Sequence, residues 1–200
     1  MPNGSMRAAI NEALRMAWDE SIGYTFGGDG NPDTNGYDCS AFVIRCLYRA
    51  GFNVPAHRVG TSTMGATVLI PAGFTELSYD HNTFIPEPGD IFVMNTSGAG
   101  HTFFYMEDVL HYTDSGADST ATSTSGPCKI EASSSRGHTA SGDSRKNGTG
   151  AYWEVWSHSY YQLVSGYTDN EVKVYRCPWS DITGGDIFGL LAILIGTKTI

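Results

Sequence analysis

The sequence predicts an α+β domain in which two helices come first and an antiparallel sheet follows. Apolar residues recur at helical spacing in two segments of the first quarter of the chain. After residue 86, the apolar, β-branched and aromatic residues instead cluster in short runs separated by turn residues, which is typical of strands. Of the 200 residues, 40% are hydrophobic and 16% are charged, and this balance suits one folded domain.

The first predicted helix covers residues 6–18, and Ser5 just before it is a suitable N-cap. A glycine-rich loop then leads to a second helix that begins at Cys39 and ends at Gly51. The apolar positions that define these helices are Met6, Ala9, Ile10, Ala13, Leu14, Ala17 and Trp18 in the first, and Phe42, Val43, Cys46, Leu47 and Ala50 in the second. Residues 61–70 are compatible with either a short helix or an extended segment.

Turn residues at 86–90 precede the first predicted strand, and a Gly-rich turn at 97–100 connects it to a second strand headed by His101. The predicted strands are residues 91–94, 101–106, 129–132, 152–156 and 171–176. Residues 113–126 and 133–150 are polar and lack apolar periodicity, so we expect both to be solvated loops.

The predicted domain spans residues 1–178, and residues 179–200 form a linker with a short apolar tail. The apolar part of this tail, residues 187–195, is much shorter than the about 20 residues that a membrane-spanning helix needs. We therefore expect no stable membrane insertion. The first residues lack a basic region followed by a long apolar run, so a secretory signal is not expected either.

The net charge is −9, from 21 acidic against 12 basic residues, and no cluster of lysine or arginine occurs. A nucleic-acid partner is therefore not expected. None of the four cysteines forms a CxxC pair, which argues against a zinc site. Cys39 and Cys46 would lie roughly 10 Å apart on one helix, too far for a disulfide. A pairing of Cys128 with Cys177 stays open.

Cys39 lies in the first turn of its predicted helix, where unpaired N–H groups and the positive end of the helix dipole favour a thiolate. A single cysteine on a helix is more often inert core, so a chemical role requires a base. The candidate base is His101, which begins a strand directly after a flexible turn. A helix-start cysteine followed by a strand-start histidine is the order found in papain-like folds.

Four short motifs occur along the chain in a fixed order. They are Tyr24-Thr25-Phe26-Gly27-Gly28, Tyr37-Asp38-Cys39-Ser40, Pro88-Gly89-Asp90-Ile91-Phe92, and His101 at a strand start. Together they resemble the NlpC-type cell-wall cysteine peptidases, including phage-encoded members that act as peptidoglycan lysins. The resemblance covers residues 6–178 and implies a papain-like fold, with N-terminal helices packed on a central antiparallel sheet.

The resemblance also implies a role for each matching residue. Cys39 would be the nucleophile, and His101 would be the general base and acid. Tyr24 would lie near the thiolate and help to hold the oxyanion, together with the backbone N–H of Cys39. Asp38 and Ser40 would line the pocket for the stem peptide of the substrate.

This sequence departs from the family pattern at the third catalytic position. Members usually carry a histidine there, one strand after the base, whereas the matching stretch Ile130-Glu131-Ala132-Ser133 offers Glu131. A carboxylate can accept the imidazole N–H and stabilise the imidazolium, so Glu131 is the preferred candidate. The alternatives are His111, which is nearer to His101 in sequence, and His138.

The function that the resemblance implies is hydrolysis of an amide or peptide bond in peptidoglycan through a thioester, without metal or organic cofactor. The enzyme would be an endopeptidase or an N-acetylmuramoyl-L-alanine amidase. It would act on the bacterial cell wall as a phage or prophage lysin, released by a holin or carried by a phage particle. Its further partners would be a wall-binding module or a phage structural protein. Two alternatives are an inactive papain-like wall-binding module and an acyltransferase that uses the same Cys/His pair.

Overall fold

The computed structural model describes residues 4–18, 24–28, 37–107, 110–114, 119–123, 127–133, 150–155 and 164–182. The helices are α1 (Met6–Trp18), α2 (Cys39–Arg49) and α3 (Thr61–Met64), the last continued by a π-helical turn (Gly65–Leu69). The strands are β1 (Thr75–Leu77), β2 (Ile91–Asn95), β3 (Gly100–Glu107), β4 (Leu110–Asp114), β5 (Ser119–Ser123), β6 (Pro127–Ser133), β7 (Gly150–Val155) and β8 (Val172–Arg176). A short 3₁₀ turn (Asp169–Glu171) precedes β8.

Six of the strands form one antiparallel sheet in the order β1-β8-β2-β3-β6-β7. The helices α1 and α2 pack on this sheet, with α1 against β6 and β7 and α2 against β3 and β6. The α+β prediction is therefore confirmed. The hairpin of β2 and β3 is also confirmed, and its register places Met94 opposite His101.

Alternation along the strands sends neighbouring side chains into two separate cores. Phe104 belongs to the core beneath the helices, where its ring meets Phe42 of α2 edge to face at 6.3 Å. Phe103 belongs to the opposite core and stacks on Phe92 at 5.0 Å between ring centroids. The central strands are thus buried on both faces, which fixes their register because a slip of one residue would exchange the two cores.

The structure corrects one loop prediction and decides between the two alternatives for one ambiguous segment. Part of the predicted loop 113–126 is a two-stranded antiparallel ribbon of β4 and β5. Its Ser- and Thr-rich sequence lacks the apolar alternation by which strands are recognised, although threonine itself favours strands. The ambiguous segment 61–70 is helical, since it forms α3 and the π-helical turn. The three-residue strand β1 was not predicted.

The start and the end of the domain are tied together. Ser5 caps α1, because its Oγ accepts the N–H of Ala8 at 3.0 Å, and it also donates to Asp181 at 2.6 Å. Trp179 donates to the carbonyl oxygen of Gly4 at 3.1 Å. This packing continues beyond the boundary predicted at residue 178, as far as Ile182. The predicted apolar stretch 187–195 lies outside the described residues, and no helix among those described has the length and apolarity to cross a bilayer.

Candidate active site

The start of α2 is held by the carboxylate of Asp38. Its Oδ1 accepts the N–H of Ala41 at 2.8 Å and the hydroxyl of Ser40 at 2.9 Å, which makes Asp38 the N-cap of the helix. Its Oδ2 accepts from Nε of Arg58 in an ion pair. Cys39, the first residue of the helix, is 7% exposed. The thiol therefore lies in a fixed position at the positive end of the helix dipole.

His101 lies between Cys39 and Glu131. Its Nε2–H donates to Oε2 of Glu131 at 2.5 Å, and the imidazole also hydrogen-bonds the thiol of Cys39. Because Nε2 faces the carboxylate, Nδ1 is the ring nitrogen left for the thiol. Burial acts to lower the pKa of His101, but the hydrogen bonds and charges of Cys39 and Glu131 outweigh it and raise the pKa to about 9. The imidazolium is thus the prevailing form at neutral pH.

Glu131 lies on β6, the strand that pairs with β3, and is 1% exposed. Lys129, two residues earlier on the same strand, places its Nζ 3.1 Å from the same Oε2 that His101 contacts. The ammonium group of Lys129 also lies 5.6 Å from the ring centroid of Phe103. The carboxylate is therefore surrounded by two cationic groups in a part of the domain that excludes most water.

Tyr24 is held next to the start of α2 by backbone pairing. It forms a parallel bridge with Tyr37, and the N–H of Thr25 donates to the carbonyl of Tyr37 at 3.1 Å. Burial and the nearby charges of Cys39 and Asp38 raise the pKa of Tyr24 to about 12, against a smaller lowering by Arg58. The phenol therefore keeps its proton at any physiological pH and remains a hydrogen-bond donor beside the thiol.

A second tyrosine, Tyr167, was missed by the sequence analysis. Burial raises its pKa, and the charges of Cys39 and Glu131 act in the same direction. Tyr167 follows Gly166, whose φ of 95° makes a turn that favours glycine. This tyrosine is partly buried against the core that contains Phe103. No motif marked it, because it enters the site only through the tertiary fold.

The structure brings together Cys39, His101, Glu131 and Tyr24, and it places Asp38 and Ser40 beside them as buried residues. His111 is not on a strand of the six-stranded sheet that holds His101 and Glu131. His111 lies on β4, in the separate ribbon, where it pairs with Thr122. His138 lies outside the described residues. Arg58 and Lys129 are charged residues near the site that the sequence analysis did not single out.

The other described cysteines are buried thiols. Cys46 is completely buried and donates to the sulfur of Met16 at 3.8 Å, and burial raises its pKa well above the usual value. Cys177 is a free, buried cysteine, and the side chain of Cys128, its possible partner from the sequence, lies outside the described part of the structure. These surroundings leave Cys39 as the described cysteine with a base beside it.

Among the described residues, one group of side chains is close enough together to hold a metal ion, namely Asp80, His81 and Asp169. Nδ1 of His81 already pairs with Asp169 at 3.0 Å, and Asp80 accepts the N–H of Asn82 at 2.8 Å in a local turn. Both contacts are sufficient to explain the cluster. None of the residues around Cys39 belongs to it.

Comparisons of this chain with protein-family models, with curated proteins and with solved structures found no match.

Proposed function

We propose that this chain is a papain-like, NlpC-type cysteine hydrolase that cleaves an amide or peptide bond in the stem peptide of peptidoglycan. The observation that carries the proposal is the position of His101 between the thiol of Cys39 and the carboxylate of Glu131. Cys39 is the first residue of α2, so its thiol lies at the N-terminus of a helix. An imidazolium beside a helix-start thiol favours the thiolate, which is the nucleophilic form. The resemblance of the sequence motifs to cell-wall peptidases indicates peptidoglycan as the substrate.

The reaction would begin with the thiolate of Cys39 and a protonated His101. The sulfur attacks the amide carbon, and the carbonyl oxygen becomes an oxyanion. The backbone N–H of Cys39, which as the first N–H of a helix has no intrahelical partner, can donate to this oxyanion together with the hydroxyl of Tyr24. His101 then gives its proton to the nitrogen of the leaving amine, the C–N bond breaks, and a thioester remains.

Hydrolysis of the thioester would reverse these proton movements. His101, now neutral, takes a proton from a water molecule, and the resulting hydroxide attacks the thioester carbon. The C–S bond breaks and the thiolate returns beside the imidazolium. Throughout the cycle Glu131 accepts the Nε2–H, which keeps Nδ1 directed at the sulfur and stabilises the charged ring.

The architecture supports the papain-like arrangement. The nucleophile begins a helix that packs on an antiparallel sheet, and base and carboxylate come from two adjacent strands of that sheet. The bond would be the link from D-glutamate to the diamino acid or the amide between N-acetylmuramic acid and L-alanine. The motifs also resemble phage-encoded members of this family, so the enzyme would be a phage or prophage lysin.

The proposal is tested by digesting purified peptidoglycan of the diamino-acid type and of the lysine type, and identifying the products by mass spectrometry. We expect wild type and Cys46→Ala to release the same fragments and Cys39→Ala to release none. Cys46→Ala is the matched control, because this second cysteine of α2 is completely buried and its thiol donates to the sulfur of Met16. Absence of cleavage of both wall types by the wild type would overturn the hydrolase. Fragments joined to an added amine would identify an acyltransferase.

A further inference from the structure

Lys129 is a buried cation next to the candidate catalytic residues. It is 9% exposed, although lysine is rarely buried unless it is paired. Its Nζ contacts Oε2 of Glu131 at 3.1 Å, and this oxygen also accepts the Nε2–H of His101 at 2.5 Å. One carboxylate oxygen is thus shared by two groups that compete for its negative charge.

The surroundings of Lys129 fix this contact in place. Lys129 and Glu131 are two residues apart on β6, so their side chains leave the same face of the sheet. The Nζ of Lys129 lies 5.6 Å from the ring centroid of Phe103, within cation–π range, and this ring is itself stacked on Phe92. The ammonium group therefore helps to determine which oxygen of Glu131 is directed at His101.

The charge of Lys129 also acts on the proton that His101 holds. A carboxylate stabilises an imidazolium, and a cation on the same oxygen opposes that stabilisation. Among the described residues, Cys39 at the start of α2 raises the pKa of this imidazole, and Tyr167 ahead of β8 lies near Cys39 and Glu131 with a phenol whose raised pKa keeps it neutral. Burial of the imidazole acts toward release of the proton, and a cation on the carboxylate oxygen would act in the same direction.

We propose that Lys129 is a positioning residue of this site, which orients Glu131 toward His101 and limits how firmly the carboxylate holds the imidazolium. The imidazolium can then surrender its proton to a leaving amine. The catalytic meaning of this arrangement rests on the proposed hydrolase function. The contact of Lys129 with Glu131, and its effect on the pKa of His101, do not depend on the proposed function.

The first test is an NMR titration of His101 in the full chain labelled with ¹³C and ¹⁵N at histidine. In Lys129→Met we expect the midpoint of the His101 titration to rise by about one pH unit, which corresponds to about tenfold tighter binding of the proton. Lys129→Arg keeps the charge and should return the midpoint to that of the wild type. Lys173→Met is the matched control, because that lysine is exposed on β8, pairs with Glu76, and should leave the midpoint unchanged. An unchanged or lowered midpoint in folded Lys129→Met would overturn the proposal.

A second test needs no substitution and so decides the matter even where Lys129→Met does not fold. In wild-type protein labelled at lysine, the ¹⁵Nζ signal of Lys129 should shift with the same midpoint as His101, since linked groups sense each other's ionisation reciprocally. If the ¹⁵Nζ chemical shift of Lys129 does not change as His101 titrates, the two side chains are not coupled and the proposal is wrong.

The pH dependence of activity is a third test of the role of Lys129. On peptidoglycan, the alkaline limb of the kcat/KM profile should move upward in Lys129→Met together with the NMR midpoint, and kcat on the plateau should fall because proton release to the leaving amine is slower. If no variant and no wild type cleaves peptidoglycan, the hydrolase proposal fails while the NMR result still decides the role of Lys129. If Lys129→Met is active and its kcat/KM profile has the same alkaline limb as that of the wild type, the positioning role of Lys129 is wrong.

Discussion

The imidazole of His101 and the carboxylate of Glu131 are joined by a hydrogen bond of 2.5 Å between Nε2 and Oε2. The two residues come from adjacent strands, β3 and β6, and are separated by 30 positions in the chain. This bond determines which ring nitrogen remains for Cys39, and it contributes to the raised pKa of His101. The consequences of removing it can be measured directly.

Replacement of Glu131 by glutamine should reduce cleavage of peptidoglycan by about 100-fold or more, because the imidazolium loses its anionic partner and its orientation. The same variant should lower the pKa of His101, since a neutral amide stabilises the charged ring less than a carboxylate does. Steady-state kinetics and histidine NMR check the two effects. Glu131→His should retain more activity than Glu131→Ala, because a histidine can also accept the N–H.

The matched control for Glu131 is His111→Gln. His111 belongs to the β4-β5 ribbon and is not part of the six-stranded sheet that holds His101. We therefore expect its replacement to leave both kcat/KM and the titration of His101 unchanged. A large loss of activity in His111→Gln with little loss in Glu131→Gln would make His111 the third residue and would contradict the assignment of Glu131.

The pKa of about 9 for His101 predicts how activity depends on pH. Acyl transfer needs a protonated imidazole to supply the leaving amine, so kcat/KM should hold up to about pH 8 and fall as pH rises through about 9. Rates measured across pH 6 to 10 on soluble muropeptides test this expectation. A decline centred near 6.5, the ordinary pKa of histidine, would show that the contacts of His101 with Cys39 and Glu131 do not persist in solution.

The same pKa also predicts how stability depends on pH. A group whose pKa is raised on folding contributes stability that is complete below its unfolded pKa of 6.5 and is lost as pH rises through about 9. For His101 the contribution is on the order of 3 kcal/mol. Urea unfolding at pH 6 and pH 10 should therefore show a larger loss of free energy in the wild type than in His101→Gln. Equal losses in the two proteins would contradict the raised pKa.

Local sequence patterns were sufficient to predict the elements that hold the nucleophile and the base. The apolar spacing after Cys39 predicts α2, and the two turns around residues 86–100 predict the hairpin that carries His101. These features are visible in sequence because each depends on contacts between residues that are close along the chain. Glu131 could be proposed because the stretch Ile130-Glu131-Ala132-Ser133 matches the family pattern on the strand after the base.

The remaining features of the site depend on contacts between distant segments. Arg58 lies in a loop and meets Asp38 only because the chain after α2 returns to the start of that helix. Tyr167 reaches the site from a turn far along the chain. Lys129 is the exception, since its spacing of two from Glu131 already predicts a shared face of one strand. That spacing gains a role only through the tertiary contact of Glu131 with His101, which joins β6 to the start of β3.

The contacts of Asp38 predict a loss of stability when this residue is replaced. Both carboxylate oxygens are used within the domain, in the cap of α2 and in the ion pair with Arg58. Asp38→Ala should lower the free energy of unfolding by about 2 kcal/mol or more, as expected for a lost N-cap together with an unpaired cation. Urea denaturation measures this, with Asp80→Ala as a control at an exposed turn. The resemblance instead predicts a contact with the stem peptide, and a raised KM with unchanged stability would favour that role.

Removal of the hydroxyl of Tyr24 tests whether it holds the oxyanion. Tyr24 lies beside Cys39, and its raised pKa of about 12 keeps it a donor in all the pH range of interest. Tyr24→Phe should lower kcat by about 10- to 1,000-fold with little change in KM, because an oxyanion donor acts in the transition state rather than on the bound substrate. The ring remains, so the melting temperature should hardly change. Tyr48→Phe is the control, since that tyrosine is 45% exposed on α2. A normal kcat in Tyr24→Phe would leave the oxyanion to the backbone N–H of Cys39 and would remove Tyr24 from the mechanism.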